Sequence, residues 1–96
     1  MLTLPLKKKW FDMILSGKKK QEYREFNTYY AKRFRSAGFY DHPTAKICFR
    51  NEYGHKAPAF VASCSLSVGT GLPEWGAEPG KEYFVLHIKT IEGRET

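Results

Sequence analysis

The chain has 96 residues and a mass of 11.1 kDa, enough for one domain with one modest hydrophobic core. Hydrophobic residues make up 42% and aromatic residues 16%, which excludes a disordered chain. No apolar run approaches the roughly 18 residues of a membrane span, and the first residues lack the order of a signal peptide. We therefore expect a single cytoplasmic domain over residues 1–96, with Cys48 and Cys64 reduced.

The net charge of +6 is unevenly distributed. Residues 1–35 carry ten Lys and Arg against three acids, whereas residues 36–96 carry six against seven. A basic first third predicts a face that meets a polyanion such as RNA, although a lysine cluster is also typical of an ordinary solvated surface. The expected phosphate contacts are Lys18, Lys20, Lys32 and Arg33.

The first third of the chain predicts two strands and two helices. In order, these are a strand at 2–6, a helix at 8–16, a strand at 21–26 and a helix that begins after Asn27 or Thr28. Pro5 limits the first strand to an edge or an end, and Gly17 ends the first helix. The alternation of a strand places Glu22, Arg24 and Phe26 on one face.

The rest of the chain predicts three strands. They lie near residues 46–50, 60–68 and 83–88. The second should turn Phe60, Cys64 and Val68 toward the core. In the third, Phe84, Leu86 and Ile88 lie on one face and alternate with Tyr83, Val85 and His87 on the other. This order of elements predicts an α+β domain with a mostly antiparallel, barrel-like sheet and two or three short helices.

Residues 17–24 fit the pattern G-x-K-x-x-E-x-R, with Gly17, Lys19, Glu22 and Arg24 at the fixed positions. The pattern stands where a helix ends and a strand begins. In both respects the chain resembles the ASCH domain, a small barrel-like fold similar to the PUA RNA-binding domain. The resemblance covers nearly the whole chain and implies a PUA-like barrel in which these residues line one cleft.

The motif combines cations and a carboxylate in a chemically useful way. Glu22 and Arg24 are two residues apart on one strand face, so they can orient each other or bind amide and phosphate groups. Lys19 can join them only from an irregular connection. Given the resemblance, we expect Lys19 and Arg24 to contact phosphate and Glu22 to accept from a base, and Glu22→Gln to change selectivity more than stability. The alternative is a surface ion pair of Lys19 with Glu22 or of Arg24 with Glu25, worth about 0 to 1 kcal/mol.

Two further groups of residues are candidates for ligand contact. The long loop at residues 69–80 carries Glu74, Trp75 and Glu78, and it either caps the barrel or closes over the cleft. Trp75 accordingly either stacks on a base or plugs the barrel end.

The second group, Arg50, Asn51 and Tyr53, stands at a strand end. It could supply a phosphate contact, an amide and a stacking ring, or it could form an ordinary hairpin turn. His and Cys residues lack metal-ligand spacing, so neither a metal nor a cofactor is expected.

The function that these residues favour is binding of RNA, a nucleotide or a modified nucleobase. A small hydrolase acting on RNA or a modified nucleoside is the alternative, with Glu22 and Lys19 in acid and base roles. Some ASCH-like amidohydrolases use a threonine nucleophile, and Glu22 occupies that position here, which argues against this chemistry. The third hypothesis is a protein-interaction or regulatory domain. We expect a monomer or a weak homodimer.

Overall fold

The computed structural model of the chain describes residues 1–52 and 56–95. In chain order its elements are β1 (Leu2–Leu6), α1 (Lys8–Leu15), β2 (Gln21–Glu25), α2 (Thr28–Ser36), β3 (Ala45–Asn51), β4 (Ala59–Thr70), a 3₁₀ turn (Pro73–Trp75) and β5 (Glu82–Glu95). The predicted α+β class is confirmed. In this part of the chain, no helix is long and apolar enough to cross a membrane.

The five strands form one mixed sheet in the order β1-β3-β4-β5-β2. Strands β1 and β3 are parallel, and the other three pairings are antiparallel. The parallel pair is possible because α1, β2 and α2 lie between these strands in the chain and supply the long crossover that it needs. The sheet curls into a half-barrel whose two edge strands are β1 and β2.

The hydrophobic core lies between the sheet and the two helices. Strand β4 contributes Phe60, Ala62 and Cys64, all fully buried as predicted. The prediction for Val68 is wrong, because β4 continues to Thr70 and its last residues extend beyond the core, which leaves Val68 47% exposed. Burial raises the pKa of the Cys64 thiol to about 12, so this cysteine is an inert core residue.

Both helices form where capping and spacing predict them. Helix α1 buries Phe11 and Ile14, and α2 begins at Asn27, whose side chain accepts a hydrogen bond from the Tyr30 backbone N–H at 2.9 Å. Phe34 is the buried residue of α2, whereas Tyr29 is 56% exposed. Helix α2 therefore presents a partly exposed aromatic ring to solvent, with the Arg33 guanidinium over the ring and Tyr30 beside it.

The outer surface of β5 is covered by the loop at residues 71–81. Tyr83 and Val85 are buried there together with Ala77, whereas Phe84 and Leu86 pack into the main core, so the predicted alternation of β5 is confirmed and both of its faces are covered here. Two tyrosine hydroxyls hold the loop in place, because Tyr23 Oη accepts from the Leu72 N–H and Tyr83 Oη from the Glu78 N–H, each at 3.0 Å.

Candidate functional site

The motif at residues 17–24 brings its three charged side chains together. Lys19 Nζ lies 2.9 Å from Glu22 Oε1, and Arg24 Nη2 lies 2.8 Å from Glu22 Oε2. Arg24 Nε also donates to Glu22 Oε2 at 3.0 Å. One carboxylate therefore binds two cations, one on each oxygen. We call Lys19, Glu22 and Arg24 the ion cluster; their predicted convergence is confirmed.

The local backbone explains how Lys19 reaches the other two residues. Gly17 has φ of +83°, a left-handed conformation that glycine adopts freely, and it ends α1. The Lys19 N–H then donates to the Met13 carbonyl at 3.0 Å, which turns the chain back over the helix end before β2 begins. Lys19 thus precedes the strand and is free of its alternation, as expected, while Glu22 and Arg24 share one strand face.

Lys19 is enclosed by protein. Its side chain is 1% exposed, and Nζ donates to the Trp75 carbonyl at 2.7 Å as well as contacting Glu22. The ammonium also lies 4.1 Å from the centre of the Trp10 ring, a cation–π contact. Burial lowers the pKa of Lys19, and attraction to Glu22 offsets only part of this effect.

The burial of this pair corrects two predictions. An enclosed ammonium cannot contact phosphate, so the structure argues against that role for Lys19 and assigns it to holding the loop against β2. Glu22 is 8% exposed and is the shared ion-pair partner of two neighbouring cations, so Glu22→Gln would affect stability at least as much as selectivity. The ion cluster is a buried network rather than the exposed ion pair of the alternative interpretation.

Arg24 connects the two edges of the half-barrel. Besides its contacts with Glu22 in β2, Nη2 donates to the Pro5 carbonyl of β1 at 2.7 Å, and Nη1 donates to Tyr30 Oη at 3.4 Å. Burial lowers the pKa of Arg24, but attraction to the Glu22 carboxylate and the hydrogen bonds to Glu22 and Tyr30 together outweigh burial, so the pKa of Arg24 is raised. Within the described chain these contacts use four of its five N–H donors, leaving one of Nη1 for a ligand.

The ion cluster borders a cleft of about 720 Å³ between the edge strands. This volume lies within the range of small-molecule sites, roughly 300–1,000 Å³. The charged side chains lining the cleft are Lys7, Glu22, Arg24, Glu25, Glu52 and Glu78, and the aromatic ones are Trp10, Tyr23, Tyr30 and Tyr83. The cleft therefore offers more hydrogen-bond acceptors than cations, together with ring surfaces, which suits a planar ligand that carries N–H or O–H donors.

The loop contributes one of its three predicted contacts to the cleft. Glu78 lines it, whereas Glu74 and Trp75 are not among the lining residues of the described chain. Trp75 acts through its backbone carbonyl, which accepts from Lys19. The loop thus forms a wall of the cleft, as expected of a loop that reaches a site. The loop residues in that wall are Gly76 and Glu78 rather than Glu74 and Trp75.

The third predicted group stays apart from the cleft. Arg50 donates to the Ala57 carbonyl at 2.9 Å, and the Asn51 N–H donates to the Pro58 carbonyl at 2.9 Å. Neither belongs to the cleft lining in the described ranges, 1–52 and 56–95. Tyr53 lies outside the described residues.

Sequence reasoning missed Trp10 and Glu52 as site residues. Helical spacing places Trp10 on the apolar face of α1, where it flanks the buried residues rather than joining them. A signal for Trp10 exists in Gly76, which has φ of +102° and whose added Cβ would lie 3.1 Å from the Trp10 ring. Glu52 carries no comparable signal, because it enters the cleft only through a left-handed backbone (φ of +60°) after β3.

Comparison with models of known families finds no match to this chain, and comparisons with curated proteins and with solved structures find none either. Among the residues that the structure describes, no three or more His, Cys, Asp or Glu side chains are grouped to hold a metal ion. The cleft is therefore interpreted from its own geometry.

Proposed function

We propose that the chain is an ASCH-like domain with a PUA-like fold and that its cleft binds RNA, a nucleotide or a modified nucleobase. One observation carries the proposal. Glu22 and Arg24 line a single cleft of ligand size whose walls combine carboxylates with aromatic rings, and Lys19 is buried behind them against Glu22. The curled, mostly antiparallel sheet with two helices is compatible with such a fold.

The chemistry of the lining suits a nucleoside. A base presents amino and imino N–H groups and a ribose presents hydroxyls, and the exposed Glu52 and Glu78 supply acceptors for both. Trp10 and Tyr30 add ring surface to the cleft. Lys9 and Lys19 already contact the Trp10 ring, so a base would stack on the ring surface that remains open to the cleft, an interaction worth about 1–3 kcal/mol per base. Arg24 can donate its remaining N–H to a ligand oxygen. In this proposal Lys19 is a positioning residue that fixes the Glu22 carboxylate and the loop.

One observation favours the hydrolase alternative. Burial lowers the pKa of Lys19 beside a carboxylate at a cleft, an environment common at sites of proton transfer. In that reaction Glu22 would take a proton from water while Lys19 steadied the developing negative charge. Because both Glu22 oxygens already bind cations, we favour binding over turnover. Incubation with RNA or an N-acylated cytidine, followed by chromatography, tests the alternative: product that disappears in Glu22→Gln would establish catalysis.

The binding proposal is tested by calorimetric titration with the four nucleoside monophosphates. The loop supplies a matched pair of variants, because Glu74 and Glu78 are both exposed and only Glu78 lines the cleft. Glu78→Gln should weaken binding by about 1 kcal/mol through loss of a charged acceptor, and Glu74→Gln should leave it unchanged. Equal effects of the two variants, or no binding of any monophosphate, would contradict the proposal.

A further inference from the structure

Two more cavities continue the cleft along β1 and α2. The nearer one, about 260 Å³, shares three lining residues with the cleft, namely Pro5, Arg24 and Tyr30. The farther one, about 630 Å³, shares three with the nearer cavity, namely Leu2, Tyr29 and Arg33. The three cavities therefore lie in a row, which we call the channel, and Arg24, through its hydrogen bonds to Pro5 and Tyr30, forms the wall between the cleft and the nearer cavity. We call the two outer cavities together the α2 groove.

The charge changes along this channel. The cleft is lined by four carboxylates and two cations, whereas the α2 groove is lined by Arg24, Lys32 and Arg33 with no carboxylate among its described lining residues. The groove also carries a stacking surface, because the exposed Tyr29 ring lies 4.0 Å from the Arg33 guanidinium carbon. The acceptors of the cleft suit the N–H and O–H donors of a nucleoside. The cations and the exposed ring of the α2 groove suit the phosphates that follow it along a strand.

We propose that the α2 groove carries the phosphates of a single-stranded RNA whose nucleoside occupies the cleft; the nucleoside end of this inference rests on the proposed function. The length of the groove sets the length of the ligand. The five residues of β1 span about 13 Å at roughly 3.3 Å per residue, which leaves room for only a few consecutive phosphates of an extended single strand. The ligand class is therefore a short single strand rather than a free nucleoside.

A peptide added to the free edge of β1 is the competing occupant. Such a peptide needs the backbone hydrogen bonds of the edge strand. Pro5 has no N–H to donate, and its carbonyl already accepts from Arg24 at 2.7 Å, so the middle of this edge is blocked. The exposed cations of α2 bind phosphates without using that edge.

The experiment measures affinity as a function of RNA length. Uridylates of one, two, four and eight nucleotides, each with a 5′-phosphate, are titrated by calorimetry at several salt concentrations. Affinity should rise over the first few nucleotides, and the octanucleotide should bind no more tightly than the tetranucleotide. The doubly substituted Lys32→Gln/Arg33→Gln protein should bind the tetranucleotide about tenfold more weakly. The slope of log K against log salt should flatten by about 1.4, because each phosphate that is no longer neutralised contributes about 0.7.

The matched control removes the same charge elsewhere. Lys18 and Lys20 are exposed and line neither the cleft nor the α2 groove of the described chain. The affinity of the Lys18→Gln/Lys20→Gln protein for RNA should therefore still increase with the length of the oligonucleotide. Equal losses of affinity in the two double variants would show diffuse attraction and overturn the groove. Tighter binding of an oligoglutamate of equal charge would overturn RNA as its occupant.

Failure of the groove and failure of the cleft give different results. Mononucleotide binding that weakens in Glu78→Gln, without any gain on lengthening, would overturn the groove and leave the cleft standing. A gain with length that is lost only in Lys32→Gln/Arg33→Gln, with no effect of Glu78→Gln, would support the groove and overturn the cleft. No binding of any uridylate would overturn both.

Discussion

The ion cluster and the α2 groove use the same kinds of side chain for different purposes. In the ion cluster Lys19 and Arg24 are 1% and 13% exposed, and their donors are directed at protein acceptors. In the groove Lys32 and Arg33 are exposed on a helix face. Buried cations here hold the walls of the cleft together, whereas exposed cations are available to a ligand. Charge counted along the sequence does not distinguish these roles; burial does.

The largest effect should come from breaking the ion cluster. Glu22→Ala leaves Lys19 and Arg24 without their shared carboxylate in a buried setting, which should lower the free energy of unfolding by about 3–5 kcal/mol. The control is Asp12→Ala, which removes an exposed ion pair with Lys8 and should cost about 0–1 kcal/mol. Urea denaturation measures both, and similar small losses would show that the cluster does not hold the cleft.

The wall of the cleft provides the next test. A Cβ added at Gly71 would lie 2.5 Å from the Tyr23 ring and 2.8 Å from the Ala77 Cβ, so Gly71→Ala must displace the loop. Such overpacking should cost about 1–3 kcal/mol. Gly69→Ala is the control, since an added Cβ there meets nothing within 4 Å. Thermal unfolding compares them, and a Gly71→Ala protein as stable as Gly69→Ala would mean that the loop is loosely attached.

The pH dependence of stability should distinguish the buried lysine from exposed ones. Burial lowers the pKa of Lys19 in the fold, while the unfolded chain keeps the ordinary value of 10.5. Between those values the unfolded state binds more protons, so the Lys19 contribution to the free energy of unfolding rises with pH across that window and is constant below it. As the pH rises through that window to about 10.5, the free energy of unfolding of the wild type should therefore increase relative to that of Lys19→Met.

Lys20→Met, at an exposed neighbouring position, is the control for that measurement. Unfolding free energies of all three proteins are determined across the pH range. A difference between wild type and Lys19→Met that stays flat, or that moves toward the variant, would contradict the burial of a charged Lys19.

The smallest effect on stability should come from the groove. Lys32→Gln and Arg33→Gln remove exposed charges from α2 and leave its N-cap and its buried Phe34 unchanged. The free energy of unfolding should change by no more than about 0.5 kcal/mol for each. A loss above about 2 kcal/mol in calorimetric unfolding would mean that these cations, like those of the ion cluster, serve the fold.

Local patterns in the sequence are sufficient to predict the elements, whereas the meeting of Lys19 with Glu22 and Arg24 is expected only from the resemblance noted for the motif. The apolar spacing of α1, the Asn27 cap and the glycine that ends α1 each depend on residues a few positions apart. The parallel pairing of β1 with β3 and the burial of Tyr83 under the loop could not be predicted in this way. They depend on contacts between residues that are far apart in the chain.

The burial of Lys19 shows the same limit within the site. Lys18, Lys19 and Lys20 are chemically alike in the sequence, and only the turn after α1 directs the middle one inward. The position of Trp10 has a similar cause. Trp10 lines the cleft because Gly76, 66 positions later, leaves space for its ring, a relation that no local pattern contains.

The two tryptophans also allow the most direct test of the ligand cleft. In a ¹⁵N–¹H correlation spectrum of the labelled protein, each indole N–H gives its own signal, and only Trp10 lines the cleft among the described residues. On titration with nucleoside monophosphates we expect the Trp10 indole signal to shift saturably and the Trp75 signal to shift far less. A Trp75 shift without a Trp10 shift, or no shift of either signal, would contradict a nucleotide site in this cleft.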